Sequence, residues 1–130
     1  MTAARTGSAR ILVVDDEPVI RRFAARVLED EGFQVLEAED GAEAPRVLGE
    51  RLSDVDAVLS DIVMPKVNGV ELLQVLTTIR PSLPVLLMSG YANAQLEGMG
   101  IAAPCAILPK PFAAEQLIEE VRRCLRGAGV

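Results

Sequence analysis

The feature that most restricts the fold of this chain is an alternation. Short runs rich in apolar and β-branched residues, at 11–14, 34–37, 57–61, 85–88 and 106–108, are each followed by a stretch that reads as helix. The runs at 11–14, 57–61 and 85–88 read as buried strands, 34–37 as a shorter strand and 106–108 as the fifth. Strand then helix, five times over, with no internal repeat and no long structureless loop, predicts a single doubly wound (βα)5 domain. Right-handed crossovers and five parallel strands point to the flavodoxin-like order 2-1-3-4-5.

The helices carry their own signals. Glu17-Pro18 suits a first turn, where a missing N–H is harmless and negative charge is favoured. Val19, Ile20, Phe23, Ala24, Val27 and Leu28 make an expected apolar stripe, and Gly32 stops it. A second helix is expected from 40 to about 52, with Pro45 tolerated near its start. Asn68-Gly69 reads as a turn ahead of a helix defined by Leu72, Leu73, Leu76 and Ile79. The stretch 92–100 contains Gly98 and Gly100, each about 1 kcal/mol worse than Ala in a helix interior, so a short or frayed helix is expected there. The last helix, 113–126, turns Leu117, Ile118, Val121 and Leu125 inward. The expected boundaries are a flexible segment 1–9, a domain 10–126 and a tail 127–130.

Composition removes several function classes. A net charge of −6, with bases interspersed among acids, offers no nucleic-acid surface. No apolar run approaches the roughly 20 residues of a membrane span, and the N-terminus has no signal-peptide core, so a cytoplasmic location is expected. The chain has no histidine, which excludes Ser-His-Asp and Cys-His catalysis and imidazole zinc sites. Cys105 and Cys124 lack CxxC spacing and are expected to be free buried thiols, with a regulatory disulfide as the alternative.

The chemistry gathers at the strand ends. The first strand ends in Asp15-Asp16, the third in Asp61, the fourth in Ser89, and the fifth leads to Lys110. In a parallel sheet these ends share one edge, where open α/β folds bind their ligands. Any one of these residues alone reads equally well as a cap, a turn former or a solvated charge. Together they place carboxylates, a hydroxyl and an ammonium around one crevice. Carboxylates about 5 Å apart repel by roughly 3 kcal/mol per pair at an effective dielectric of 20. A hard divalent ion such as Mg²⁺ relieves that repulsion and balances an incoming phosphoryl group. Asp61 beside it is a candidate nucleophile toward phosphorus, with Ser89 and Lys110 contacting phosphoryl oxygens.

These residues resemble the receiver domain of bacterial two-component response regulators, in the style of receivers of hybrid histidine kinases. The resemblance is carried by Ile-Leu-Val-Val-Asp15-Asp16-Glu-Pro, Asp61-Ile-Val-Met-Pro65 with Gly69 eight residues on, Met-Ser89-Gly-Tyr and Leu-Pro-Lys110-Pro-Phe, in that order. It implies that Asp61 takes a phosphoryl group from a phosphohistidine on a partner histidine kinase or histidine phosphotransfer domain. It implies Mg²⁺ held by Asp16, Asp61 and the backbone carbonyl of Val63, with Asp15 acting through water. Ser89 becomes the switch hydroxyl, Lys110 the phosphoryl-binding cation, and the Lys110–Pro111 bond is expected to be cis. Such a domain is a signalling phosphoacceptor that assists its own phosphotransfer and slow dephosphorylation.

Two departures from the family pattern bear on output. Ile107 stands where the family usually has Tyr or Phe, which removes the aromatic group that couples to the switch hydroxyl. The weak helix expected after Tyr91 suggests output through mobility of residues 90–105. Val63 and Tyr91, neither able to orient water, predict a long-lived acyl phosphate. Two rivals remain open at this point. An aspartate-nucleophile phosphohydrolase wants Asp-x-Asp, whereas Asp61 is followed by Ile62-Val63. A receiver-shaped interaction module that is never phosphorylated would have no use for the acceptor residues.

Overall fold

The computed structural model describes residues 9–49, 54–64, 68–90 and 104–128. Five parallel strands, β1 (Arg10–Val14), β2 (Gln34–Ala38), β3 (Ala57–Asp61), β4 (Val85–Ser89) and β5 (Ala106–Pro109), form one sheet in the order β2-β1-β3-β4-β5. This is the doubly wound arrangement expected from the alternation. Val14 lies opposite Ser60, Asp61 opposite Met88, and Ser89 opposite Pro109. The C-terminal ends of β1, β3, β4 and β5 therefore reach the same edge.

Every residue of β3 and β4 is buried, as two-sided strands require. Their period of two divides the core into two clusters. Ile11, Val13, Leu59, Met88 and Leu108 pack on one face with Leu28 of α1 (Pro18–Asp30) and Leu117 and Val121 of α4 (Ala114–Gly127). Leu12, Val14, Val58 and Leu87 pack on the other with Leu48 of α2 (Ala44–Leu48) and Leu72, Leu73 and Leu76 of α3 (Gly69–Ile79). The expected helix within 92–100, and with it the mobility expected of 90–105, falls almost entirely outside the described residues.

Several local expectations need correction. In α1 the buried residues are Ala24, Ala25 and Leu28, while Val19 is 81% exposed and Phe23 45%. The buried face of α1 is therefore narrower than the apolar stripe. The ring of Phe23 instead meets Phe112, centroids 6.1 Å apart, in the loop after β5. Ile79, in the last turn of α3, is likewise exposed. α2 ends at Leu48 rather than near 52, because Gly49 turns the chain at φ 46°. Gly32, at φ 95°, does terminate α1, a conformation that favours glycine.

Asn68 is more than a turn residue. Its side chain accepts from the Glu71 N–H at 2.9 Å, and the Glu71 carboxylate accepts from the Asn68 N–H at 3.0 Å. This capping box satisfies two donors that α3 would otherwise leave unpaired. Asn68→Ala is expected to lower stability by about 1 kcal/mol, read from a urea melt. A midpoint equal to that of the unsubstituted protein would contradict the role.

Cys105 and Cys124 are not free thiols; they form a disulfide. The cause is the crossover itself. β5 runs away from Cys105, and α4 returns antiparallel to it, bringing Cys124 back to the level where β5 began. The Cα atoms lie 6.0 Å apart, within disulfide reach, although 19 positions separate the two in sequence. Arg123 closes the same junction by donating to the Cys105 carbonyl at 3.0 Å.

Candidate functional site: an acidic cleft at the strand ends

Asp15 and Asp16 follow β1, where the apolar run stops and the chain turns into α1. The Asp15 side chain is fully buried, and both its oxygens are used. One accepts from the Glu17 N–H at 2.9 Å, the local turn bond that a short acid commonly makes. The other lies 3.2 Å from Lys110 Nζ. Asp15 thus makes the local turn bond and also faces Lys110. Asp16 is exposed beside it and lines the cleft.

Asp61 is the last residue of β3 and only 6% exposed. Its Oδ1 is 3.2 Å from Lys110 Nζ, so one ammonium bridges Asp15 and Asp61. Its backbone is packed from two sides. The buried Ser60 hydroxyl donates to the Asp61 carbonyl at 3.0 Å. Gly69, at the start of α3, lies so close that an added Cβ would collide with that carbonyl and reach 2.9 Å from Ile62 Cα. The Gly69 N–H also donates to the Ile62 carbonyl at 2.9 Å. The glycine eight residues after the acid is thus explained by close approach of helix and strand end.

Lys110 follows β5, and its N–H donates to the Ser89 carbonyl at 2.8 Å, tying the ends of β4 and β5 together. The Lys110–Pro111 peptide is cis, as the resemblance implied. Ser89 is buried at the end of β4, adjoining the cleft without lining it; Gly90 lines it together with Asp16, Glu17, Asp61, Val63 and Lys110. Val63 lies at the mouth and is about half exposed. Ile107 is half-buried in β5, opposite Leu87, as one more aliphatic of the sheet.

Glu17 is a cleft residue that the sequence reading assigned only to a helix start. Its carboxylate is 3.8 Å from Lys110 Nζ, and the run Asp15-Asp16-Glu17 was the available signal. Asp56 is a buried acid that the reading passed over. It accepts from the Arg10 N–H at 2.8 Å, on the far edge of the sheet from the cleft.

One carboxylate oxygen from each of Asp15, Asp16 and Asp61 fits within a span of 4.8 Å. Three carboxylates, with neither imidazole nor thiolate among them, make a donor set suited to a hard divalent cation that keeps several waters. The electrostatics agree. Burial pushes the Asp61 carboxyl above its ordinary value; Lys110 opposes that rise, and the Asp15 and Asp16 charges add to it. Burial alone would lower Lys110, but Asp61 and Asp15 outweigh it and hold the ammonium above its ordinary range. The asymmetry is physical: the lysine sees several anions, whereas Asp61 sees one cation and two anions.

A sign follows for stability. Because the folded state disfavours ionised Asp61, it loses stability as pH rises from the unfolded carboxylate value through the raised folded one. Asp61→Asn is expected to raise the melting temperature of the metal-free protein at neutral pH. The gain should vanish below the ordinary carboxylate range. Melting curves in a chelator across pH check this, and a variant less stable than its parent at pH 7 would contradict it.

Residues 11–122 match the response regulator receiver domain family. The chain is similar to the sensor kinase CckA of Brucella abortus, at 38% identity over 121 residues covering 92% of this chain and 13% of that protein. It is similar to the response regulator MprA of Mycobacterium sp. (strain KMS), at 36% identity over 90% of this chain and 50% of that protein. The crystal structure of the receiver domain from the hybrid histidine kinase CckA aligns with TM-score 0.75 and 37% identity, covering 90% of this chain and 99% of that one. NtrX from Brucella abortus aligns with TM-score 0.84 and 33% identity, covering 94% of this chain and 28% of that one. The chain spans half the length of the response regulator MprA and 13% of the sensor kinase CckA.

Proposed function

The chain belongs to the response regulator receiver domain family of two-component signalling, and from the geometry of its cleft we propose that Asp61 is the phosphoacceptor. One observation carries the assignment. Asp61 is the carboxylate that is at once nearly buried, in contact with Lys110, part of the three-acid cluster and open to the cleft. Its donor is a phosphohistidine on a histidine kinase or histidine phosphotransfer domain, which agrees with a chain that has no histidine of its own. An Asp61 oxygen forms the new bond to phosphorus. The phosphorus–nitrogen bond breaks, and its electron pair returns to the donor imidazole.

Asp16, Asp61 and the Val63 carbonyl would hold Mg²⁺, with Asp15 acting through water. Bound there, Mg²⁺ supplies positive charge against the carboxylates and the transferring phosphoryl group. Lys110 already bridges two acids, so it is placed to exchange the Asp61 oxygen for a phosphoryl oxygen once Asp61 is modified. Ser89, on the adjacent strand end, acts as the switch hydroxyl. Its backbone is bonded to Lys110, so movement at one strand end is passed to the other. Val63 cannot activate water, which favours a long-lived phosphoryl group. The working unit is residues 10–126, located in the cytoplasm, with phosphotransfer and slow dephosphorylation as its own chemistry.

Beryllofluoride with MgCl₂ tests the reading, followed by amide chemical shifts. Shifts centred on Asp61, Ser89 and Lys110, absent in Asp61→Asn, are expected. No shifts in the unsubstituted protein would favour an interaction module that is never phosphorylated. Turnover of a generic phosphate ester would favour a phosphohydrolase.

A further inference from the structure

Asp16 has a directional problem. It is the exposed member of the cluster, and among the described residues nothing donates a hydrogen bond to its carboxylate. Its position depends on the backbone that carries it. The peptide joining Asp15 to Asp16 is held at its carbonyl by Arg21, whose Nη1 donates at 2.9 Å. Arg21 lies in the first turn of α1, and its side chain is only 12% exposed. Its Nε donates to the Glu37 carboxylate of β2 at 3.0 Å. One planar guanidinium thus joins α1, the loop after β1 and the neighbouring strand β2, using two donors whose relative geometry is fixed.

We propose that Arg21 is a positioning residue, with Glu37 as its anchor, holding the Asp15–Asp16 peptide so that Asp16 and Asp61 face the same cation. The proposal rests on the reading of the acidic cluster as a Mg²⁺ site. Arg21 does not touch the metal; it orients the backbone of a ligand, as outer partners of metal sites do. Neither residue carries a signal in the sequence, because a helix arginine and a strand glutamate read as ordinary surface charges.

The sign of the effect separates positioning from charge. Removing a cation near three carboxylates, and leaving Glu37 unpaired, should by Coulomb attraction alone tighten Mg²⁺ binding. Loss of positioning should weaken it. MgCl₂ titration by calorimetry on the full chain is expected to show Arg21→Met binding about tenfold more weakly. Arg21→Lys keeps the charge but cannot span both acceptors, so it should also bind more weakly. Glu37→Gln keeps an acceptor and should fall closer to the parent.

Melting curves in chelator identify any variant that fails to fold, and Arg21→Lys serves if Arg21→Met does. Tighter or unchanged Mg²⁺ binding in a folded Arg21 variant overturns the proposal. Arg21→Lys matching the parent overturns it too, since charge alone would then suffice. If the parent itself shows no Mg²⁺ binding, or Asp16→Asn and Asp61→Asn bind as well as it does, the underlying metal reading fails instead.

Discussion

Lys110→Met is expected to lower the stability of the metal-free protein by about 3 kcal/mol, and MgCl₂ is expected to return most of that loss. The estimate follows from burial. Asp15 is wholly enclosed and Asp61 nearly so, and Lys110 Nζ, 3.2 Å from each, is their shared counter-ion. Removing one partner of a buried pair leaves an uncompensated charge, which typically costs about 3–5 kcal/mol. The lower end applies because Asp15 retains the Glu17 N–H and the cleft admits water. Methionine keeps much of the stem's volume, so packing contributes little to the difference. The pH dependence has a definite sign. Lys110 titrates above its ordinary value in the fold. Its contribution is therefore complete below the ordinary lysine range and lost as pH rises through the elevated value. Parent and variant should converge in strong base. Denaturant melts with chelator and with MgCl₂ measure both arms; parental stability of the variant in chelator would contradict the bridging role.

The second large effect concerns the cross-link. Reduction of Cys105–Cys124, or Cys105→Ser, is expected to lower stability by about 3 kcal/mol, from the chain entropy that a loop of this length restores to the unfolded state. The separation is 19 residues and the loop contains β5, Lys110 and most of α4. For a domain of this size the melting temperature should fall by roughly 10 °C. Cys105 is the position to replace, being half-exposed, whereas Cys124 lies in the core. Identical melting with and without a reducing agent would contradict the cross-link.

The parts of this molecule legible in the sequence are those where local composition and global position coincide. β1, β3 and β4 are buried along all or nearly all of their length, so each contains a short apolar run, and the acid or hydroxyl after it marks the rim. The strand order follows from the alternation and the handedness of crossovers. Asp15, Asp16, Asp61 and Lys110 could be brought together on paper because parallel strands share one direction.

What stayed hidden depends on tertiary distance. The pairing of Cys105 with Cys124 requires knowing how far α4 returns along β5, which spacing does not encode. The Arg21 bridge depends on two side chains meeting from elements whose separation is set by packing. Val19 and Phe23 continue the apolar period of α1 yet lie exposed, whereas Ala24 and Leu28 are buried. Periodicity shows which face a residue shares, not whether anything covers that face. The capping box at Asn68 and Glu71 is the exception, a local pattern that the sequence displayed and the turn reading passed over.

The central claim is that Asp61 accepts a phosphoryl group. Its most direct test is the intact mass of the chain after incubation with a small acyl phosphate and MgCl₂, beside Asp61→Asn treated identically. One added phosphoryl group is expected, mapped to the peptide containing Asp61 and absent from the variant. An unmodified parent, or equal modification of the two proteins, would contradict it.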